Sequence, residues 1–176
     1  QGVSSAASDV YKRQLLGWQR AYEELLSRPG MADLRNITFE TNGTQKLHAD
    51  FAQFLAQWQE EVPGREVTFS VSAKLSASGE LWEEAIRPEI VNEYQQHGHT
   101  YLKFVVETDE HIEDARCATK EFRAEGFKGQ IFLMPQGGIV RPYEANKVRI
   151  ADICCAEGWN YSPRLHVDLW GNGWGK

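Results

Sequence analysis

The chain has 176 residues, of which 41% are hydrophobic and 25% are charged, and its formal net charge at pH 7 is −6. This composition is typical of one globular domain, and we expect no membrane-spanning segment because no apolar run approaches the roughly 20 residues that cross a bilayer. Scattered lysines and arginines in an acidic chain argue against nucleic-acid binding, and three cysteines, two of them adjacent, form a poor disulfide framework and favour a reducing cytoplasm.

Residues 1–13 differ from the rest of the chain. The stretch "QGVSSAASDVYKR" has neither helical nor alternating periodicity, and it lacks the apolar core of a signal peptide. It is interpreted as a disordered leader left by expression or sequence assembly, with a genuine flexible arm as the alternative. The folded domain is expected to span residues 14–176.

Apolar residues at three- and four-residue spacings alternate with short apolar runs from Gln14 onward. Asp109 is the expected N-cap of one helix, and Gly126 is expected to end it. The strands are expected to start near residues 36, 67, 100, 129 and 161. The spacing predicts helices at residues 14–28, 47–61, 87–96, 109–126 and 143–158, and strands at 36–40, 67–74, 100–106, 129–135 and 163–169.

This alternation predicts an α/β fold with a parallel sheet of βα units, because parallel strands are joined by long crossovers. In such sheets the loops after the strands open on one side, and binding sites form there. The segments after the strands, such as "ETNGTQ", "SAKLSASG" and "MPQGG", are rich in small, amide and charged residues. A polar cavity is therefore expected at the carboxyl ends of the strands.

Several residues at these strand ends have two interpretations. Thr41-Asn42-Gly43 fits a tight turn, and Lys74 fits simple surface charge. Ser72 and Lys74 share a strand parity, however, so a hydroxyl and an ammonium are expected on one side, where they suit the ribose and carboxylate of a nucleoside-like cofactor. The glycines of "MPQGG" can let backbone groups approach a flat ring.

One histidine and the three cysteines also have candidate roles. His166 and Asp168 share a parity on the last predicted strand, so both are expected to face the cavity and to recognise a polar heterocycle. The cysteines, Cys117, Cys154 and Cys155, are interpreted as core residues on helices, because their spacing fits no metal or cluster motif.

Five segments in order, "ETNGT", "SAKLSASG", "YLKFVV", "MPQGG" and "SPRLHVDLWGN", closely resemble 7-carboxy-7-deazaguanine synthase, a radical S-adenosylmethionine (radical SAM) family of the 7-deazapurine pathway. The resemblance covers about residues 14–176. It implies an incomplete TIM-like (β/α) barrel that holds a 4Fe-4S cluster, S-adenosylmethionine and magnesium. It also implies a small pterin substrate, 6-carboxytetrahydropterin, and the product 7-carboxy-7-deazaguanine.

The resemblance further implies which residues form the site. The tail around Trp170 is expected to be a lid that excludes water, with a plug of the barrel bottom as the alternative. The residues expected to contact S-adenosylmethionine are Glu40, Asn42, Ser72, Ala73, Lys74, Met134, Pro135, Gln136 and Gly137, and those expected to close over the pterin are His166, Trp170, Gly171 and Asn172.

The start of the chain departs from the family pattern. The family's CxxxCxxC cluster loop, the magnesium-holding residue after it and the GGEP segment all precede the helix that begins here near Leu15, and none of them is present. The expectation is an inactive, N-terminally truncated fragment, the C-terminal two-thirds of such an enzyme, without cluster and magnesium ligands. The sheet edge exposed by missing strands favours association, including a homodimer. A non-catalytic nucleoside-binding module and a phosphate-sugar enzyme are the alternatives.

Overall fold

The structure, a computed structural model, describes residues 15–137 and 140–171. The expectations for residues 1–13 and for Asn172 lie outside these ranges. The strands are β1 (Asn36–Thr41), β2 (Glu66–Val71), β3 (His99–Val106), β4 (Ile131–Pro135) and β5 (Asn160–Tyr161). The helices are α1 (Leu15–Leu26), α2 (Ala49–Glu61), α3 (Trp82–Ala85), α4 (Pro88–His97), α5 (Asp109–Ala124), α6 (Val140–Glu157) and α7 (Leu165–Trp170), with 3-10 turns at Pro29–Met31 and Ser76–Ser78.

The five strands form one parallel sheet in the order β1-β2-β3-β4-β5. The α/β fold and the parallel sheet of βα units are therefore confirmed, and each strand starts within two residues of its expected position. Because parallel crossovers are right-handed, a sheet whose strands follow chain order carries its connecting helices on one face. No helix in the described part of the chain has the length and apolar composition needed to cross a bilayer.

Alternate strand residues form the core between the sheet and these helices. Phe39 of β1 stacks on Phe69 of β2 with 5.6 Å between ring centroids, and Phe69 stacks in turn on Tyr94 of α4 at 4.8 Å. Phe51 of α2 meets Phe39 edge-on at 5.8 Å. All four rings are buried, so the aromatic positions of α2 and α4 fix these helices on the sheet.

The other strand residues form what we call the open face of the sheet. It consists of Thr38 and Glu40 of β1, Thr68 and Ser70 of β2, Tyr101, Lys103 and Val105 of β3, and Phe132 and Met134 of β4, and most of them are partly or fully exposed. Parallel sheets normally have both faces covered. The open face is thus a surface on which a ligand or further chain can pack.

The amino ends of the strands are closed by contacts within the chain. Arg65, directly before β2, is 9% exposed and donates hydrogen bonds to the carbonyls of Trp58 (3.0 Å) and Ala32 (3.1 Å). Its guanidinium also lies 4.5 Å from the centre of the Trp58 ring. Because backbone carbonyls accept these hydrogen bonds, we infer that Arg65 stabilises the fold at the amino edge of the sheet.

The prediction of a strand at residues 163–169 was wrong. The chain pairs with β4 only at Asn160–Tyr161, and Leu165–Trp170 is helical instead. Pro163 cannot donate a ladder hydrogen bond, so the pairing ends with the bond from Ser162 N to the Leu133 carbonyl (2.8 Å). The new helix closes at Gly171, which has φ of +57°.

The predicted N-cap of α5 was also wrong, by one residue. Thr108, rather than Asp109, caps the helix, because its Oγ1 accepts a hydrogen bond from the His111 backbone N–H at 3.3 Å. Asp109 lies in the first turn, where a carboxylate favours the helix dipole. Gly126 has φ of +102° just after the helix, as expected for a residue that ends it.

Candidate functional site

The loop after β1 is a tight turn stabilised by its own side chains. Gly43 N donates to Thr41 Oγ1 (3.1 Å), and the Thr44 hydroxyl donates to Asn42 Oδ1 (2.9 Å). Gly43 has φ of +81°, and a Cβ there would lie 2.7 Å from Val71 Cγ1. The turn interpretation of this stretch is therefore confirmed. It leaves Asn42 Nδ2 buried without a hydrogen-bond partner among the described residues.

Two side chains from neighbouring helices hold this loop in place. The Tyr94 hydroxyl donates to the Gln45 carbonyl, and burial raises the pKa of Tyr94 to about 12. Gln19 of α1, 1% exposed, donates from Nε2 to the Lys46 carbonyl (3.2 Å) and accepts from His48 N (2.8 Å). The loop that presents Asn42 is thus fixed from both sides.

The segment after β2 lies beside Asn42. Ser72 N donates to the Thr41 carbonyl at 2.8 Å, so the strand pairing continues one residue beyond Val71. Ser72 and Ala73 are buried and Lys74 is half-buried. Two of the residues expected to contact a cofactor, Asn42 and Ser72, are therefore neighbours at adjacent strand ends.

A charged pair crosses the open face below these strand ends. Lys103 Nζ of β3 lies 3.7 Å from Glu40 Oε1 of β1, and the two side chains are 16% and 60% exposed. Ser70 of β2 is in register with Glu40 and with Tyr101, two residues before Lys103, and its Oγ is buried with no partner in the described chain. Glu40, an expected site residue, therefore lies on the open face with a lysine counter-ion.

The end of β3 is capped by a histidine. His111 Nδ1 accepts a hydrogen bond from Glu107 N at 3.1 Å, which requires this nitrogen to be unprotonated. Arg149 of α6 donates to the Glu107 carbonyl at 3.3 Å and pairs with Asp109. These contacts fix the loop that adjoins β4, since Gln136 N donates to the Val106 carbonyl at 2.9 Å.

Arg164 crosses the glycine at the end of β4. Its terminal NH1 donates to the Gly137 carbonyl at 3.2 Å. A Cβ on Gly137 would lie 2.5 Å from Arg164 Cδ, so the glycine makes room for the arginine side chain. The arginine side chain is therefore sufficient to explain the glycine at position 137, with no need for a flat ring of a ligand there. Cofactor contact at Met134, Pro135, Gln136 and Gly137 stays a prediction.

A buried tyrosine ties α7 to α6. The Tyr143 hydroxyl donates to Asp168 Oδ2 (2.8 Å) and accepts from Arg164 N (3.0 Å). Asp168 also lies 3.6 Å from Lys147 Nζ. Beside this contact a cleft of about 360 Å³ lies between α6 and the segment after β5, lined in part by Lys147, Tyr161 and Asp168. Burial raises the pKa of Tyr161 there.

The shared orientation expected for His166 and Asp168 was wrong. Both lie on α7, where residues two apart point to nearly opposite sides, and Asp168 turns to Tyr143. His166, Trp170 and Gly171 are exposed. Their proposed contact with a pterin, and the lid formed by the tail, stay predictions, and part of that tail lies outside the described residues.

The cysteines fit a core role only in part. Cys154 is buried, its Sγ lies 3.3 Å from the Asn160 carbonyl, and burial raises the pKa of its thiol. Cys117 and Cys155 are exposed, so the core interpretation was wrong for both. No group of three His, Cys, Asp or Glu side chains in residues 15–137 and 140–171 is arranged to hold a metal. The described residues therefore do not fit an iron–sulfur cluster.

Three side chains with prominent contacts here were missed by the sequence analysis. Lys103 lies in "YLKFVV" and Arg164 in "SPRLHVDLWGN", and neither was expected to be a site residue. Tyr143 was treated as part of an ordinary helix. Strand parity would have placed Lys103 on the same side as Ser72, but no local pattern links Tyr143 to Arg164 or Asp168.

Comparison with known proteins finds relatives of one kind. The chain is 26% identical over 141 residues to the 7-carboxy-7-deazaguanine synthase of Halobacterium salinarum. This match covers 77% of this chain and 54% of that protein. It is 28% identical over 108 residues to the 7-carboxy-7-deazaguanine synthase of Pyrobaculum aerophilum. This match covers 61% of this chain and 45% of that protein. The resemblance noted from the motifs is confirmed by these two similarities.

The extent of these matches is limited. The chain spans about half the length of the curated relatives it matches. No family model matches it, and no solved structure is significantly similar to it.

Proposed function

We propose that this chain forms the cofactor- and pterin-binding part of a 7-carboxy-7-deazaguanine synthase, a radical SAM lyase that converts 6-carboxytetrahydropterin to 7-carboxy-7-deazaguanine in the 7-deazapurine pathway that leads to queuosine. The similarity to two proteins of that name supports the proposal. So does the fold, because a parallel sheet with strands in chain order and helices on one face is compatible with an arc of a TIM-like barrel.

The observation that carries the proposal is the pair of polar residues at the ends of β1 and β2. Asn42 has a buried amide nitrogen without a partner in the described chain, and Ser72 adjoins it through the hydrogen bond to Thr41. An unpartnered buried donor costs about 1 to 3 kcal/mol. A ligand that accepts a hydrogen bond there, such as a ribose hydroxyl, would recover part of this cost after a small movement of the loop.

The residues proposed to bind the cofactor lie at neighbouring strand ends. Asn42 and Ser72 would hydrogen-bond the nucleoside, and Lys74 would face the aminoacyl carboxylate. Gln136, an exposed amide at the end of β4, would contact the opposite side of the ligand. In this family S-adenosylmethionine supplies the radical that starts the reaction, so the task of these side chains is to orient it.

The open face would hold the pterin. The ring system of a pterin carries amide and amine N–H groups. A carboxylate such as Glu40 can accept hydrogen bonds from them. Lys103 Nζ lies 3.7 Å from Glu40 Oε1 and would help to orient this carboxylate. Tyr101 and Phe132, whose rings lie 5.1 Å apart on the same face, offer apolar surface against which a flat ring packs.

The cluster and the magnesium ion do not fit the described residues. The three thiols are divided between a buried position on α6 and two exposed positions on α5 and α6. The proposed reaction therefore needs cluster thiolates from outside the described ranges.

Calorimetric titration tests the binding half of the proposal without a cluster. S-adenosylhomocysteine and pterin-6-carboxylate are titrated into the chain, into Asn42→Ala and into Asn36→Ala. Asn36 is a matched control because it is exposed at the amino end of the same strand. We expect Asn42→Ala to weaken S-adenosylhomocysteine binding about tenfold and Asn36→Ala to leave it unchanged. Equal loss in both variants, or no binding by the parent chain, would contradict the proposal.

A turnover assay tests the catalytic half. The reading frame is expressed together with its upstream DNA, reconstituted anaerobically with iron and sulfide, and supplied with 6-carboxytetrahydropterin, S-adenosylmethionine and magnesium. Formation of 7-carboxy-7-deazaguanine, followed by mass spectrometry, is the expected result. Binding without product in a cluster-loaded protein would instead indicate a non-catalytic nucleoside-binding module.

A further inference from the structure

Arg164 is a partly buried cation with no carboxylate partner among the described residues. It lies between β5 and α7. Among the described residues no Asp or Glu oxygen lies within ion-pair distance of its guanidinium, whereas Arg65, Arg87 and Arg116 each pair with a glutamate. Its nearest acid along the chain, Asp168, is held by Tyr143 and Lys147.

The position of this guanidinium is fixed from three directions. Tyr143 Oη accepts from the Arg164 backbone N–H, the Gly137 carbonyl accepts from NH1, and the missing side chain of Gly137 leaves the space through which the arginine passes. Its Nε is enclosed and has no partner in the described chain. Burial lowers the pKa of Arg164. Such a guanidinium is stabilised by any anion that reaches its outer nitrogens.

The location of Arg164 joins it to the proposed site. Gly137 and Gln136 follow β4 at the same edge of the sheet as Asn42 and Ser72, and NH1 is bonded to Gly137 itself. The chain has a formal net charge of −6, so a negatively charged ligand needs a local cation to offset the general repulsion. Arginine is suited to this task because its planar group donates two parallel hydrogen bonds to one carboxylate.

We propose that Arg164 binds a ligand carboxylate at the carboxyl edge of β4. Resting on the proposed function, this inference names two sources for that group: the carboxylate of the pterin substrate and the aminoacyl carboxylate of the adenosyl cofactor. The carboxylate accepts hydrogen bonds from the outer guanidinium nitrogens, while the bond from NH1 to Gly137 holds the plane of the group. Arg164 thereby acts as a binding and specificity residue.

Two matched ligand pairs distinguish the sources. Pterin-6-carboxylate is compared with pterin, and S-adenosylhomocysteine with 5′-methylthioadenosine, which lacks the aminoacyl carboxylate. Each ligand is titrated into the parent chain, Arg164→Gln and Arg164→Lys. The control is Arg87→Gln, a partly exposed arginine paired with Glu89.

The expected result is a loss of affinity of about tenfold or more in Arg164→Gln for the carboxylate member of one pair, with its carboxylate-free partner unchanged. Arg164→Lys keeps the charge but not the planar fork, so a smaller loss is expected. Arg87→Gln should change neither pair. The pair that responds identifies the source of the carboxylate.

Two other outcomes have separate meanings. If the parent chain binds both pairs and Arg164→Gln binds all four ligands as tightly, the role of Arg164 is overturned while the proposed function stands. If the parent chain binds no member of either pair, the proposed function and this inference both fail. Circular dichroism of each variant shows whether it is folded, and Arg164→Lys carries the test if Arg164→Gln is not.

Discussion

Lys103 of β3 reaches over β2 to within 3.7 Å of Glu40 of β1. β2 lies between their strands, so two strand spacings, or about 10 Å, separate β1 from β3, and Lys103 stands two residues beyond Tyr101, which is in register with Ser70 and Glu40. The pair joins two residues of the open face that are 63 positions apart in the chain, since 103 − 40 = 63. It places one acid and one base where no helix of the described residues covers the sheet.

We predict that this pair contributes little to stability. The contact is long and Glu40 is well exposed, so solvent screens the attraction. In a double-mutant cycle of Lys103→Met, Glu40→Gln and the double variant, urea unfolding should give a coupling energy below about 1 kcal/mol. A coupling above roughly 2 kcal/mol would mean that the pair is a structural element instead of a ligand-facing one.

Tyr94→Phe should change the pH dependence of stability. The phenol has a pKa of about 12 in the folded chain and about 10 when unfolded, so its contribution is complete below pH 10 and is lost as the pH rises toward 12. The phenylalanine variant keeps the stacking on Phe69 but cannot ionise. The stability advantage of the parent chain over the variant should therefore shrink by about 1 kcal/mol between pH 9 and 11. A difference in unfolding free energy between the two proteins that stays constant across that pH range would contradict this prediction.

Gly43→Ala should destabilise the loop after β1 more than a matched glycine substitution elsewhere. Gly43 and Gly64 have nearly the same φ, +81° and +85°, so alanine suffers the same backbone strain of about 1 kcal/mol at both. Only at Gly43 would the new Cβ meet other atoms, at 2.7 Å from Val71 and 3.0 Å from Val91. Denaturant unfolding should show an additional cost of about 1 to 3 kcal/mol for Gly43→Ala. Equal losses in the two variants would show that the loop has room there.

Tyr143→Phe should loosen α7 without unfolding the sheet. The variant loses the hydrogen bond to Asp168 and the acceptor for Arg164 N, a cost of about 1 to 3 kcal/mol. Hydrogen exchange should quicken at the amides of Val167 and Asp168, while the amides of β3 stay protected. Tyr22→Phe is the control, because the Tyr22 ring packs on Phe39 and keeps that contact. Unchanged exchange in α7 would show that the helix is held by other contacts.

The sequence predicted the parts of the fold that depend on local periodicity. Each strand began near its expected residue because turns such as "RPG" and "VPG" precede short apolar runs. The last element was misassigned for a physical reason: Leu165, Val167 and Leu169 alternate like a strand, yet Pro163 ends the pairing with β4. The resulting helix buries only Val167 and exposes both leucines.

The arrangement of the candidate site could be predicted only where it follows from strand ends. Asn42 and Ser72 were assigned by that rule and do lie side by side. Contacts between distant segments were not accessible to it. The proximity of Lys103 to Glu40 depends on strand order and register, and the contact of Arg164 with Gly137 depends on where the chain turns after β5.

Hydrogen exchange with bound ligand tests most directly the claim that the carboxyl edge of the sheet is the binding site. Exchange is followed with and without S-adenosylhomocysteine and pterin-6-carboxylate together. The account predicts slower exchange at the amides of residues 42–44, 72–75 and 136–137, and no change at Asn36 and Glu66 at the amino edge. Protection confined to the amino edge, or no protection at either edge, would contradict it.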